Sequence, residues 1–420
     1  IQSISGYEGS ASDYDITDNA AALISAGDGV LDVDGVDIVT ASDPSVNASD
    51  GAILAGFTAD IEFDVADTAG ALKSVMGTDD PASYLTEANS IVVDNDGQGD
   101  RVVNASDGAI LAGFTADVEF DVVDTANAVA AEVAGSGGLD EAGDVVVSGG
   151  DVDTAEAANI QQVSNYNASG SNYEISDDAV SVIGAGSSVI ENDGVSRIEV
   201  EGDATALEGV DLNAYNANVD FDVSDTADAI ATNSGSLGKA AEVFVVSGGD
   251  SVDVAEAEAI QGLAGYQTGA SEYEIEDNAA ALISAGDNVL TNGNIHVDVN
   301  DGAGSSVVDA SDGATLASFT ADIDFDVADT VAAISSVLTT TSLQTTMPAP
   351  INQGSGIGMM HMPLSINTNG FITNLDDANS VTITSGTADV QQAADIQSIS
   401  GYEGSASDYD ITDNAAALIS

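Results

Sequence analysis

Residues 63–72 read FDVADTAGAL, and two periods meet inside those ten positions. Apolar and polar residues alternate through Phe63-Asp64-Val65-Ala66-Asp67, the pattern of a half-buried strand. After Asp67 the pattern lengthens, so that Ala69 and Leu72 share one helical face. Asp67 stands at the change, with the chemistry of a helix N-cap. The stretch therefore predicts a strand, a cap and a short helix.

The same phrase recurs as YDITDNAAAL at 14–23, FDVVDTANAV at 120–129, YEISDDAVSV at 173–182 and FDVSDTADAI at 221–230. It returns as YEIEDNAAAL at 273–282, FDVADTVAAI at 325–334 and YDITDNAAAL at 409–418. Asp18, Asp67, Asp124, Asp177, Asp225, Asp277, Asp329 and Asp413 hold the predicted cap position, with Tyr14 and Ile16 as strand core in the first copy. A looser phrase lies between, as in VVSGGDVDTAEAANIQQVSNY at 146–166 and VVNASDGAILAGF at 102–114, where Asp50, Asp107 and Asp312 are the corresponding cap candidates. Successive copies of the first phrase are 49, 57, 53, 48, 52, 52 and 84 residues apart. Residues 1–25 and 396–420 are identical, which sets a super-repeat of 395 residues. That reading expects the sequence after Ser420 to continue AGDGVLDVDG, as it does after Ser25.

Strand–helix units at this pitch predict an α/β repeat protein, an elongated solenoid of short parallel strands and short helices. One coil per whole unit with two facing sheets, or a string of small β-rich domains, are the alternatives. By domain, residues 1–337 read as repeat array, 338–370 as an uncharged insertion, and 371–420 as the array resumed. The phrase [YF]-[DE]-[IV]-x-D-[TND]-A, alternating with acidic VVSGGD-type segments, resembles the repeats of giant acidic bacterial extracellular and cell-surface proteins. Those are S-layer-like, adhesin-like and cyanobacterial surface-protein repeats. The resemblance implies a structural role outside the cell. The expected function is a segment of an extracellular filament, surface layer or matrix fibre, with the stalk of a large repeat adhesin as the alternative.

Charge narrows the partners. Asp and Glu number 72 against 4 Lys and Arg, a net charge of −68. Nucleic acid is excluded as a natural partner, because phosphate binding needs cationic side chains. Self-association is the expected contact, and no run of apolar residues is long enough to insert in a membrane. With 44% hydrophobic residues the chain has ample core, but it needs salt or bridging cations to relieve self-repulsion. Calcium is the expected cofactor, at an extracellular or cell-surface location. Asp32-x-Asp34-Gly-x-Asp37 and Asp94-x-Asp96-Gly-x-Gly-Asp100 alternate oxygen donors around a turn-forming glycine, as calcium loops do. Asp15, Asp64, Asp121, Glu174, Asp222, Glu274 and Asp326 lie one residue into each strand, and stacking would align them as a carboxylate ladder.

From Thr330 to Leu375 no residue is charged. Met347, Pro348, Met359, Met360, His361 and Met362 lie there and supply adaptable apolar area, expected to make an assembly contact where charged surfaces repel. One His, no Cys and two adjacent Met pointing apart argue against a soft-metal site. Asn47, Asn104 and Asn167 open glycosylation-type triplets, but two of them are copies of one turn, so repetition accounts for them. His296 and His361 are far apart in sequence, no Cys exists and no Ser has a nucleophile-elbow context, so no enzyme is expected.

Overall fold

A computed structural model describes residues 14–76, 85, 87–114, 116–136, 138–246, 251–302, 304–338 and 375–413. The chain forms two compact units, Ile1–Ala204 with Asp211–Phe221, and Thr205–Val210 with Asp222–Ser420. Both are α/β, as the sequence predicts.

In the first unit the strands pair in parallel with strands next or next but one along the chain. Tyr14–Asp18 pairs with Val36–Ala41, which pairs with Ile61–Glu62. Beyond Phe63 the chain resumes as Asp64–Asp67, pairing with Ser90–Val93 and through it with Val118–Glu119. A longer run orders Val102–Val103, Asp121–Asp124, Val145–Val152, Asn172–Asp177 and Val195–Ala204. In the second unit Glu272–Asp277 pairs with Asn294–Val299 and Asn294–Val299 with Ile323–Asp324. Val307–Val308, Asp326–Thr330 and Ser380–Ser385 form a further parallel set, and Thr387–Ala388 pairs with Asp410–Ile411.

Parallel neighbours need a crossover. Here it carries a short helix, such as Ala48–Ala55, Ala105–Ala112, Ala126–Ser136 or Thr154–Gln161. Helices this short are marginal alone, so packing must hold them. Each of the six copies from Phe63 to Ile334 buries two strand residues and two helix residues, for example Phe120 and Val122 with Ala126 and Val129. Tyr173, Ile175, Ala179 and Val182 repeat the arrangement, as do Phe325, Val327, Val331 and Ile334. The first copy departs from it. Tyr14 and Ile16 are only half-buried, because a single neighbouring strand covers Tyr14–Asp18 among the described residues.

The glycine of the looser phrase sits inside a helix, against all propensity. Its reason is contact distance. A Cβ on Gly51, Gly108 or Gly313 would stand 2.9, 2.7 or 2.6 Å from the Cγ2 of Val65, Val122 or Val327. The helix thus lies directly on the next strand, beside Phe63, Phe120 or Phe325.

Residues 339–374, which hold Met347, Pro348, Met359, Met360, His361 and Met362, lie outside the described residues, as do 1–13 and 414–420. The strand after the long segment keeps the register of a unit without it. Ser90 Oγ donates to Asp64 Oδ1 across 26 residues at 2.8 Å, and Ser380 Oγ donates to Asp326 Oδ1 across 54 residues at 2.6 Å. Asn89 N–H to the Phe63 carbonyl and Asn379 N–H to the Phe325 carbonyl match at 2.8 Å each.

Adding one methyl at the close contact tests this packing. Gly108→Ala is expected to destabilise by about 1–3 kcal/mol through overpacking, although Ala is the better helix former. Thermal or denaturant unfolding measures it, and an unchanged or raised stability would contradict the contact.

Candidate functional site: carboxylate clasps and the charged strand face

The phrase aspartates from Asp18 to Asp329 do not cap the helices that follow them. In five copies the cap is the next residue: Asn19, Asp178, Thr226, Asn278 and Thr330. Thr68 does the same, accepting from Ala71 N–H. The correction has a geometric cause, since the strand continues through the aspartate and the chain turns only after it.

Their oxygens hold two segments at once. One oxygen accepts the N–H of the next residue, as Asp67, Asp124 and Asp177 Oδ1 do from Thr68, Thr125 and Asp178 at 2.7–2.9 Å. Asp225, Asp277 and Asp329 Oδ1 accept in the same way from Thr226, Asn278 and Thr330. The other oxygen reaches back to the first amide of the preceding helix. Ala48, Ala105 and Thr154 N–H donate to Asp67, Asp124 and Asp177 Oδ2 at 3.0, 3.0 and 3.1 Å. Ala206, Val254, Ala310 and Val390 N–H donate to Asp225, Asp277, Asp329 and Asp413 Oδ2 at 3.0–3.3 Å. First-turn amides have no partner within their own helix, and the positive end of the helix favours an anion. Each carboxylate is a clasp between successive helix starts. Asp18 is half a clasp, with Oδ1 accepting Asn19 N–H.

The caps of the looser phrase also lie elsewhere than expected. Asn47 and Asn104 cap by accepting from Asp50 and Asp107 N–H, and Asp309 caps by accepting from Asp312 N–H. Asp50, Asp107 and Asp312 are thus third-position residues. Asn167 accepts from Gly170 N–H in a single helical turn. Asp153, Asp253 and Asp389 cap Thr154–Gln161, Val254–Gln261 and Val390–Gln397 in full capping boxes with Glu156, Glu256 and Gln392.

The expected carboxylate ladder is not continuous, because a strand of the other phrase separates each pair of rungs. That strand brings donors. Ser90 and Ser380 hydroxyls reach Asp64 and Asp326, while Asp144 and Glu242 N–H reach Asp121 and Asp222 at 3.0 Å. Glu174 lies opposite Arg197, which stands 3.6, 2.8 and 2.7 Å from carboxylate oxygens of Glu174, Glu199 and Asp220. Glu274 lies opposite His296, in the place Arg197 takes two phrase copies earlier. His296 Nε2 is 3.4 Å from Asp298 Oδ1 and 3.3 Å from Asp324 Oδ2. A hydrogen bond that the protonated Glu274 carboxyl donates to Asp298, with burial and the Asp298 charge, pushes the Glu274 carboxyl up. Asp15 is exposed.

The two loops expected to hold calcium do not gather their carboxylates. Asp94 Oδ1 accepts Gly99 N–H at 2.9 Å, and Asp96 Oδ1 accepts Gln98 and Asp100 N–H at 2.7 and 3.2 Å. Asp100 Oδ1 accepts Val102 N–H at 3.1 Å. The Gly99 amide leads in holding Asp94 below the usual carboxylate range. Asp32 ends the short helix Asp28–Leu31, with Asp37 inside the strand Val36–Ala41 and Asp34 between them. Among the described residues only His296, Asp298 and Asp324 have metal-ligand spacing.

Sequence reasoning missed the second bond of each clasp. Its signal was a constant distance of 19 or 23 residues from the amide of one phrase to the aspartate of the next. It also missed Ser171, whose buried hydroxyl accepts Val147 N–H and donates to the Asn167 carbonyl. Ser271 and Ser407 make the same strand contact to Val245 and Ile383.

These features define an α/β repeat protein whose units are joined by carboxylates. No protein-family model matches the chain, and neither a curated protein nor a solved structure matches it.

Removing both bonds of one clasp tests its weight. Asp225→Ala is expected to cost about 1–2 kcal/mol, the scale of a lost N-cap, and Asp225→Asn less. Equal stability of Asp225→Ala and the parent would contradict the clasp. Acid should act through the clasp at Asp177. Burial alone would raise the Asp177 carboxyl, but bonds from Thr154, Asp178 and Ser181 hold it below its usual value. A depressed carboxyl stabilises the fold above its unfolded pKa, and that stability is lost as pH falls through the folded value. The melting temperature should therefore drop on acidification below the ordinary carboxylate range. A flat profile there would contradict it.

Proposed function

We propose that this chain is a structural segment of an extracellular filament, surface layer or matrix fibre built from tandem repeats and stabilised by cations. The observation that carries this reading is the recurrence of one strand–clasp–helix joint in every described phrase copy from Asp67 to Asp329. A joint that repeats without specialising suits a load-bearing array better than a single reactive centre. We read the array as a solenoid, because every strand ladder among the described residues is parallel and joins strands next or next but one along the chain.

Cations belong to the same reading. The clasps and strand donors engage carboxylates singly, while −68 net charges remain to be screened. Calcium would do this by bridging surface carboxylates, and salt by shortening the range of repulsion.

Raising NaCl from about 0.1 M to about 1 M shortens the screening length from ~10 to ~3 Å. The purified chain is expected to melt several degrees higher across that range, to melt higher with calcium than with a chelator, and to form fibres or sheets by electron microscopy. A melting temperature indifferent to both, with particles that stay single at high protein concentration, would overturn the proposal.

A further inference from the structure

Two copies of the phrase build the same charged strand face around a different central residue. In one, Arg197 lies opposite Glu174, and its guanidinium stands 3.6, 2.8 and 2.7 Å from oxygens of Glu174, Glu199 and Asp220. In the other, His296 lies opposite Glu274, and Asp298 lies opposite Asp324. Ile275, Val297 and Ile323 alternate with these residues and are buried, so the imidazole and its carboxylates share the outer face of the strands. The first arrangement encloses a permanent cation. The second keeps the carboxylates and replaces that cation by an imidazole, which is a metal ligand as guanidinium is not.

The spacing of the donor atoms suits a small ion. His296 Nε2 is 3.4 Å from Asp298 Oδ1 and 3.3 Å from Asp324 Oδ2, and one ligand atom from each residue lies within 4.8 Å of the others. Zinc binds imidazole nitrogen and carboxylate oxygen at about 2.0–2.2 Å, and a tetrahedron with such bonds has edges of about 3.3–3.6 Å. Both distances from the imidazole are edges of that length. Calcium takes oxygen ligands through longer bonds, so a nitrogen at the centre of the group selects a transition-type metal instead. Asn294–Val299 and Ile323–Asp324 present the donors from paired strands, so their positions are set before any ion arrives.

We propose that His296, Asp298 and Asp324 bind one divalent transition-metal ion of the zinc class, through Nε2 and one oxygen of each carboxylate, with the fourth position open to Glu274 or water. The ion takes the place that the Arg197 guanidinium fills two phrase copies earlier, and it ties Asn294–Val299 to Ile323–Asp324 through their side chains. The site lies within one chain and is separate from calcium bridging and salt screening, so it does not rest on the fibre reading.

Calorimetric titration of the whole chain with zinc chloride tests the site, in millimolar calcium and high salt so that other carboxylates are occupied or screened. A single tight equivalent is expected above the diffuse background, and cobalt in its place is expected to show the visible absorption of a low-coordinate site. His296→Arg rebuilds the Arg197 arrangement, so it is expected to keep the metal-free melting temperature while weakening zinc at least about tenfold, the scale of losing even an outer partner of a ligand. Asp324→Asn is expected to weaken zinc as well. The chain has one other histidine, His361, and His361→Ala is expected to leave binding unchanged. Zinc binding indifferent to both His296→Arg and Asp324→Asn, or lost with His361→Ala, overturns the site. So does a parent chain with no zinc equivalent above background, which leaves His296 an ion-pairing residue only. Fibre formation is read separately by microscopy, and none of these outcomes bears on it.

Discussion

The fold depends on one carboxylate reaching two helix starts. A parallel strand–helix stack faces a recurrent problem: each short helix begins with amides that its own turns cannot satisfy. Here the end of the next strand supplies the acceptor. Asp124 joins Ala105 N–H to Thr125 N–H, and Asp225 joins Ala206 N–H to Thr226 N–H. Because the same residue closes one strand and anchors the previous helix, it fixes how successive units meet.

Magnitudes separate the clasp's role from that of the core. A buried Val, Leu, Ile or Phe contributes about 1.5–3 kcal/mol, and each phrase buries four apolar side chains, such as Phe221, Val223, Ala227 and Ile230. A cap-type hydrogen bond contributes about 1 kcal/mol. Burial therefore drives folding, and the clasps select the register. Gly108 serves the same selection, since only a side chain without Cβ lets the helix meet Val122 at this distance.

Much of the architecture was readable in the residues, and the limits have physical causes. Two periods within one phrase exposed strands and helices, because Phe63, Val65, Ala69 and Leu72 are all buried as their spacing requires. The aspartate at the junction was legible as a helix-start acceptor, but not which helix it serves. That depends on contacts 19 or 23 residues away, while a cap is judged from local spacing. The ladder failed for a related reason. Stacking like phrases ignored the strands of the other phrase, which place Ser90 beside Asp64 and Arg197 beside Glu174. Glycine-centred acidic turns looked like ion loops, yet backbone amides satisfy Asp94 and Asp96 within the turn.

Acidity and architecture are thus the same fact. A carboxylate is the side chain best suited to accept two amides at a helix start, and repeating the joint multiplies the charge. Amide hydrogen exchange at the first helical residues tests this most directly. Ala48, Ala105, Thr154, Ala206 and Ala310 N–H would exchange freely at ordinary helix starts, but here each is bound to an aspartate. The account predicts protection comparable to the helix interiors, lost selectively at Ala206 when Asp225 is replaced by Ala. Rapid exchange at these amides in the intact chain would contradict it.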